Sequence, residues 1–176
     1  MRKDTFLVFP FVIALTLACS LFDRPATSTE AVVDETTVDE SPAPDSFTLV
    51  TIHSSQGDLP SLLVFHASQA AQLNRKPFAE FSAEWCYPCK ALAKSLSDDL
   101  MVEAFRGTYI IRIDIDEWKS QLARFGFNVL GVPTFFELDE NGRPSGRLIT
   151  GTAWGEDIPE NMAPPLQKFF QGSSQE

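Results

Sequence analysis

Basic residues are scarce in this chain of 176 residues: 14 Lys and Arg stand against 24 Asp and Glu, a formal net charge of −10. Nucleic-acid binding rewards clustered Lys and Arg, so that class is set aside. After residue 20 no apolar run is long enough for a membrane span, which needs roughly 20 residues. There are only two histidines, His53 and His66, both read as structural or surface groups. A zinc site on a cysteine pair would therefore lack half of its tetrahedral ligand set. Cysteine is rare and odd in number, at three, so one needs an explanation outside any pair. Internal repeats are absent. Aromatic carbon is plentiful: fifteen Phe and three Trp within a 44% hydrophobic composition suffice for one core, and the length suits one domain with appendages.

The first residues account for the odd cysteine. Arg2 and Lys3, weakened by Asp4, precede an apolar stretch from Phe6 to Ala18, of signal-peptide length and too short for a stable bilayer anchor. It ends Leu15-Thr16-Leu17-Ala18-Cys19. This resembles a bacterial lipobox, with Thr16 the less common choice. The resemblance implies a signal peptide over 1–18 and a lipid on Cys19; an ordinary secretory peptide with a chance cysteine, or a short uncleaved anchor, is the alternative. Ser20, where Asp is absent, implies by the same resemblance sorting to the outer membrane. In residues 20–46 seven acids face the single base Arg24 and large apolar groups are few. A disordered, self-repelling linker over 19–46 is expected, with an acidic docking tail as the other option.

Globular composition begins at residue 47, and 47–176 is expected to form one domain. Phe47–His53 alternates as a strand, Ser54–Pro60 carries turn signals, and Ser61–Arg75 is ambiguous, with Leu62–Phe65 open to strand and Ala67–Leu73 to helix. Pro77–Ala83 reads as a buried strand and Cys86 to about Arg106 as one helix. A strand over Thr108–Ile115, a helix over Glu117–Phe125, and strands over Pro133–Leu138 and Gly146–Gly151 follow. The last two flank the hairpin signal Asn141-Gly142. Pro164-Pro165 is read as the first turn of a closing helix. The order is βαβαβαββα, an α/β class with a central mixed sheet flanked by helices.

The run Ala83-Glu84-Trp85-Cys86-Tyr87-Pro88-Cys89-Lys90 lies where an apolar strand meets a helical pattern. The helix N-terminus directs amides at the first sulfur and favours its thiolate, the attacking species in disulfide exchange, and Cys89 stands one turn on. By spacing alone a zinc pair stays possible. The run resembles the active site of thioredoxins and of the membrane-anchored thioredoxin-like proteins of bacterial envelopes, Tyr87 standing where glycine is commonest. The resemblance covers roughly residues 60–171 and implies the thioredoxin fold, with Cys86 as nucleophile and Cys89 as resolving thiol.

It also implies a cis Pro133 in Val132-Pro133-Thr134, with that loop facing the cysteines and the Val132 backbone free to pair with substrate. An ordinary trans proline opening an edge strand is the alternative. Glu80 stands six residues before Cys86, where thioredoxins carry a buried aspartate that manages the proton of the second cysteine; Arg112 stands where they often carry a lysine. A Glu80–Arg112 pair is expected, against two unrelated solvated side chains. Trp85 is expected to shield the site or to pack in the core, Tyr87 to contact substrate, and Lys90 to favour the thiolate weakly.

The expected protein is thus a lipid-tethered, extracytoplasmic thiol–disulfide oxidoreductase on the periplasmic side of an envelope membrane. It would act as a monomer, without metal or organic cofactor, the Cys86–Cys89 pair carrying the electrons. Its partners would be disulfide-containing envelope proteins and an upstream membrane thiol reductant donor. The proline before Cys89 resembles reducing members; an oxidase or isomerase, a non-catalytic binding lipoprotein, and a metal chaperone are the rivals.

Overall fold

The computed structural model describes residues 46–172; the expected signal peptide, the lipid site Cys19 and nearly all of the expected linker lie outside the described residues. Five strands form one mixed sheet: β1 (Thr48–Ile52), β2 (Lys76–Ser82), β3 (Thr108–Asp114), β4 (Thr134–Leu138) and β5 (Pro144–Thr150), in the order β1-β3-β2-β4-β5. β3 runs parallel to both β1 and β2, whereas β4 is antiparallel to β2 and to β5. The expected order of elements is present. No helix among the described residues is long and apolar enough to cross a membrane.

The segment left ambiguous is helical throughout: α1 spans Leu59–Gln72, and Leu62–Phe65 is not strand. Asp58 caps it, accepting from the Ser61 amide at 3.1 Å, and Pro60 sits in the first turn where a missing N–H costs nothing. Its buried Leu59, Leu63, Ala67 and Ala70 recur at helical spacing.

The single helix expected over 86–106 is two: α2 (Tyr87–Ser95) and α3 (Asp99–Phe105). Ser95 turns its hydroxyl back to the Ala91 carbonyl, and Asp98 captures the Leu100 amide to cap a fresh start. Such polar side chains offer the backbone partners that compete with helix continuation. The helix expected over 117–125 is likewise divided. α4 (Ile115–Trp118) is drawn forward by Asp114, which accepts from the Asp116 and Glu117 amides, and a 3-10 turn (Leu122–Phe125) ends at left-handed Gly126. The closing helix α5 (Pro159–Gln171) opens on Pro159, not on Pro164. Pro164 and Pro165 lie inside it, each removing a helical hydrogen bond. Burial of Met162, Ala163, Leu166 and Phe170 along one face offsets that loss.

β2 serves both faces of the sheet. Ala79 and Phe81 join one core with residues of α1, α4 and the 3-10 turn, including Leu63, Trp118 and Leu122. Phe78 joins the other with residues of α2, α3 and α5, where Phe105, Phe135 and Phe170 stack with centroids 4.8–6.0 Å apart. The β4–β5 hairpin turns at Asn141-Gly142, with Asp139 accepting from the Asn141 and Arg143 amides.

Gly142 has φ 69°, and a Cβ there would meet the Leu63 carbonyl carbon at 2.6 Å. Gly142→Ala is therefore expected to lower stability by about 1–3 kcal/mol, from left-handed strain and from pushing the hairpin off α1. Urea unfolding of the two proteins checks this; equal midpoints and slopes would refute it.

Candidate active site

β2 ends at Ser82, and a turn closed by the Cys86 amide on the Ala83 carbonyl hands the chain to α2. Cys86 is the N-cap of α2, and its sulfur accepts from the Cys89 amide at 3.1 Å. An N-cap acceptor satisfies one of the orphan donors of a helix start, and here that acceptor is sulfur. The two cysteines are joined as a disulfide, with Cα atoms 5.3 Å apart. Both are buried with Ala83 and packed against Ile115 and Val132. The oriented amides of α2 stabilise negative charge on Cys86 by about 0.3–1 kcal/mol once the bridge is reduced.

The Val132–Pro133 peptide bond is cis. The Val132 carbonyl oxygen lies 3.6 Å from Cys86 Sγ, so this loop does face the redox pair. Thr134 is buried and donates its hydroxyl to the Gly131 carbonyl at 2.6 Å, bracing the loop from below.

Glu80 and Arg112 are register partners on β2 and β3. Arg112 Nε donates to Glu80 Oε2 at 3.1 Å, and Nη2 lies 3.0 Å from the same oxygen without hydrogen-bonding geometry. Glu80 is only 1% exposed, and its Oε1 has no hydrogen-bond partner among the described residues. Burial pushes its carboxyl above the ordinary value of 4.5, against the pull of Arg112. One carboxylate oxygen is bare, and one guanidinium hydrogen bond to the other does not replace the lost water. Strand alternation puts Glu80 on the Phe78 side of the sheet, the side that α2 covers.

Trp85 is not a core residue. Its ring is exposed, and its indole N–H donates to Asp116 Oδ2 at 2.6 Å. Tyr87 is exposed, open to the substrate contact expected of it. Asp116 escaped the sequence reading, although Asp114-Ile115-Asp116-Glu117 directly after a strand is a helix-start signal that places acids at that sheet edge. A cleft of about 720 Å³ borders Trp85, with Glu84, Lys90, Arg112, Asp114, Asp116 and Glu117 among its walls. A larger one, about 950 Å³, lies between α1 and the hairpin, away from the cysteines. At the cleft rim Glu117 accepts from the Ser54 hydroxyl and amide and lies 3.2 Å from His53 Nδ1; these contacts, Ser54 first, hold its carboxyl below the usual range. His66 sits apart, 2.9 Å from the Tyr109 hydroxyl. Among the described residues no three His, Cys, Asp or Glu side chains gather as a metal site.

Comparison with known proteins agrees with this geometry. The family model described as Thioredoxin matches residues 62–163. Thioredoxin of Alicyclobacillus acidocaldarius is 30% identical over 99 residues, covering 56% of this chain and 90% of that protein. Thiol:disulfide interchange protein TxlA of Synechococcus elongatus is 32% identical over 108 residues, covering 57% of this chain and 56% of its own. Across four curated relatives, the match spans between 18% and 59% of their length. The crystal structure of a disulphide isomerase from Xylella fastidiosa has a TM-score of 0.51 at 16% identity, covering 69% of this chain and 95% of that one, a likeness of fold alone.

Because the folded Glu80 holds its proton to higher pH than the unfolded chain does, its ionisation opposes folding. That contribution grows as pH rises from about 4.5 through the raised folded value. The stability of the unsubstituted protein relative to Glu80→Gln is expected to fall as pH is raised over a range that starts at about 4.5. Denaturant midpoints of both proteins over that range measure it; parallel curves would contradict it.

Proposed function

This chain belongs to the thioredoxin family, and from that premise we propose that it is a thiol–disulfide oxidoreductase reducing protein disulfides, tethered outside the cytoplasm by a lipid on Cys19. The observation that carries the chemistry is the Cys86–Cys89 bridge at the N-terminus of α2, faced by the Val132–Pro133 loop.

The cycle starts from the reduced pair. The Cys86 thiolate attacks one sulfur of a substrate disulfide; a Cys86–substrate bond forms, the substrate bond breaks, and the released thiolate takes a proton from solvent. Cys89, after losing its proton, attacks Cys86 Sγ, closing the intramolecular bridge and expelling the second substrate sulfur as a thiolate, which takes a proton from solvent. Two electrons pass from the cysteine pair to the substrate, and the Cys86–Cys89 bridge is the product form of the pair. Glu80, buried on the α2 side of β2, is the group that accepts the Cys89 proton. Burial raises its affinity for protons above that of a free glutamate, and Arg112 limits how far that affinity rises. The cis loop turns the Val132 backbone toward the sulfur, where an extended substrate segment can pair with it in a short form of strand addition.

The reducing direction rests on Pro88 before Cys89 and on the resemblance to reducing family members. In an oxidising envelope it needs a thiol donor in the membrane to restore the dithiol. Similarity to the thiol:disulfide interchange protein TxlA of Synechococcus elongatus supports exchange between partners of this kind. The Phe6–Ala18 leader and its lipobox-like end support the tether, with the acidic 20–46 segment joining lipid to domain.

Insulin reduction with dithiothreitol as donor is expected to drop to the uncatalysed rate in Cys86→Ser, while Cys89→Ser accumulates mixed disulfides that can be isolated from envelope extracts. Both variants retaining wild-type turnover would end the catalytic reading. Glu80→Gln is expected to slow mixed-disulfide resolution about 10²-fold at pH 7, the scale of one general base; an unchanged rate and unchanged thiol titration would remove its role. Cys19→Ala is expected to move the protein from the membrane to the soluble fraction, and equal membrane retention would refute the tether.

A further inference from the structure

The sulfurs are nearly closed off, Cys86 and Cys89 each being 3% exposed, yet the apolar side chains around them are bare. The three most exposed large apolar groups among the described residues are Leu130 at 90%, Tyr87 at 77% and Trp85 at 65%; the next, Phe65, reaches 56%. Two of the three flank the motif cysteine in sequence. The third, Leu130, was not among the residues the sequence pointed to. It stands two residues before Val132, whose carbonyl lies 3.6 Å from Cys86 Sγ, and two residues span at most about 7 Å. Trp85 and Tyr87 thus adjoin Cys86 in the chain, and Leu130 belongs to the loop whose Val132 carbonyl faces its sulfur. Exposed apolar area concentrated in one place marks an interaction surface rather than ordinary scatter.

Charge says what can occupy it. Four carboxylates, Glu84, Asp114, Asp116 and Glu117, line the cleft beside Trp85, against Lys90, His53 and Arg112, whose guanidinium is shared with Glu80. Two of these acids are anchored: Asp116 holds the Trp85 indole and Glu117 is fixed by Ser54. The negative excess therefore stays beside the apolar collar. A second copy of this chain would bring the same acids face to face, so the surface does not fit self-association.

We infer that this site selects disulfides carried on extended, cationic polypeptide segments. An apolar side chain beside the substrate cysteine packs on Leu130 and Tyr87, and a lysine or arginine enters the acidic cleft beside Trp85. The inference rests on the exchange reading above and names the substrate class for that same site. Leu130 is then a specificity residue, and Glu84, exposed at the cleft wall, contributes to the electrostatic steering.

The test uses the full chain and four peptide disulfides of equal length, with Lys or Glu and Leu or Ser flanking the cysteine, beside the small uncharged disulfide of 2-mercaptoethanol. The Lys/Leu peptide is expected to react about tenfold faster than the Glu/Leu peptide at low salt, a gap that closes toward about 1 M salt. Leu130→Ser is expected to bring the Leu-to-Ser rate ratio toward one, and Glu84→Lys the Lys-to-Glu ratio. Ratios within one preparation are independent of the fraction correctly folded. Reduction of the small disulfide with no preference among the peptides, or a preference for the acidic ones, overturns this inference and leaves exchange standing. Failure to reduce any of the five overturns the exchange reading and this inference with it.

Discussion

Strand β2 has no face turned to water, and the rest of the molecule is arranged around that constraint. β3 lies on one side of it and β4 on the other. Phe78 is committed to the α2, α3 and α5 layer, and Ala79 and Phe81 to the α1 and α4 layer. A strand held in this way cannot shift by one residue without exchanging its two cores, so its C-terminal end is fixed in place. The cysteine pair is built on that end. The same constraint is severe for Glu80, which must find compensation inside the sheet. It finds Arg112 on the next strand at the same register, and keeps its proton to higher pH than a free glutamate does.

Two helical features follow from packing against this sheet rather than from local preference. α5 runs through Pro164 and Pro165, because Met162, Leu166 and Phe170 bury one continuous stripe against the sheet. α2 stops at Ser95, so that Asp98 can restart the chain as α3, whose Met101 and Phe105 reach the same core. A short α2 leaves the helix start at Cys86 under local control: the sulfur caps the helix, and the helix stabilises charge on the sulfur.

The site divides the chemistry from the recognition. Attack and resolution use atoms buried between α2, β2 and the cis loop, while selection of the substrate falls to side chains that the same elements leave outside. Trp85 links the two, since its ring is exposed beside the bridge while its indole nitrogen is held by Asp116 at the edge of the acidic cleft.

The order of strands and helices, the redox pair, the cis loop and even the Glu80–Arg112 partnership were legible in the chain, some from period and capping, others from resemblance to a known active site. The first kind rest on nearest neighbours, the second on motifs that carry their long-range partners with them. Helix boundaries were less legible. Leu62–Phe65 is compatible with strand or helix when read alone, and only the burial of Leu59 and Leu63 on α1 decides it. The bareness of Leu130, the hold of Asp116 on a tryptophan 31 positions away and the unpartnered Oε1 of buried Glu80 were not legible at all. Strand period, caps and turns are local properties that the sequence by itself determined. Exposure, and partnerships such as Trp85–Asp116 that no motif announces, are set by residues distant along the chain that share one volume, so only the tertiary structure decided them.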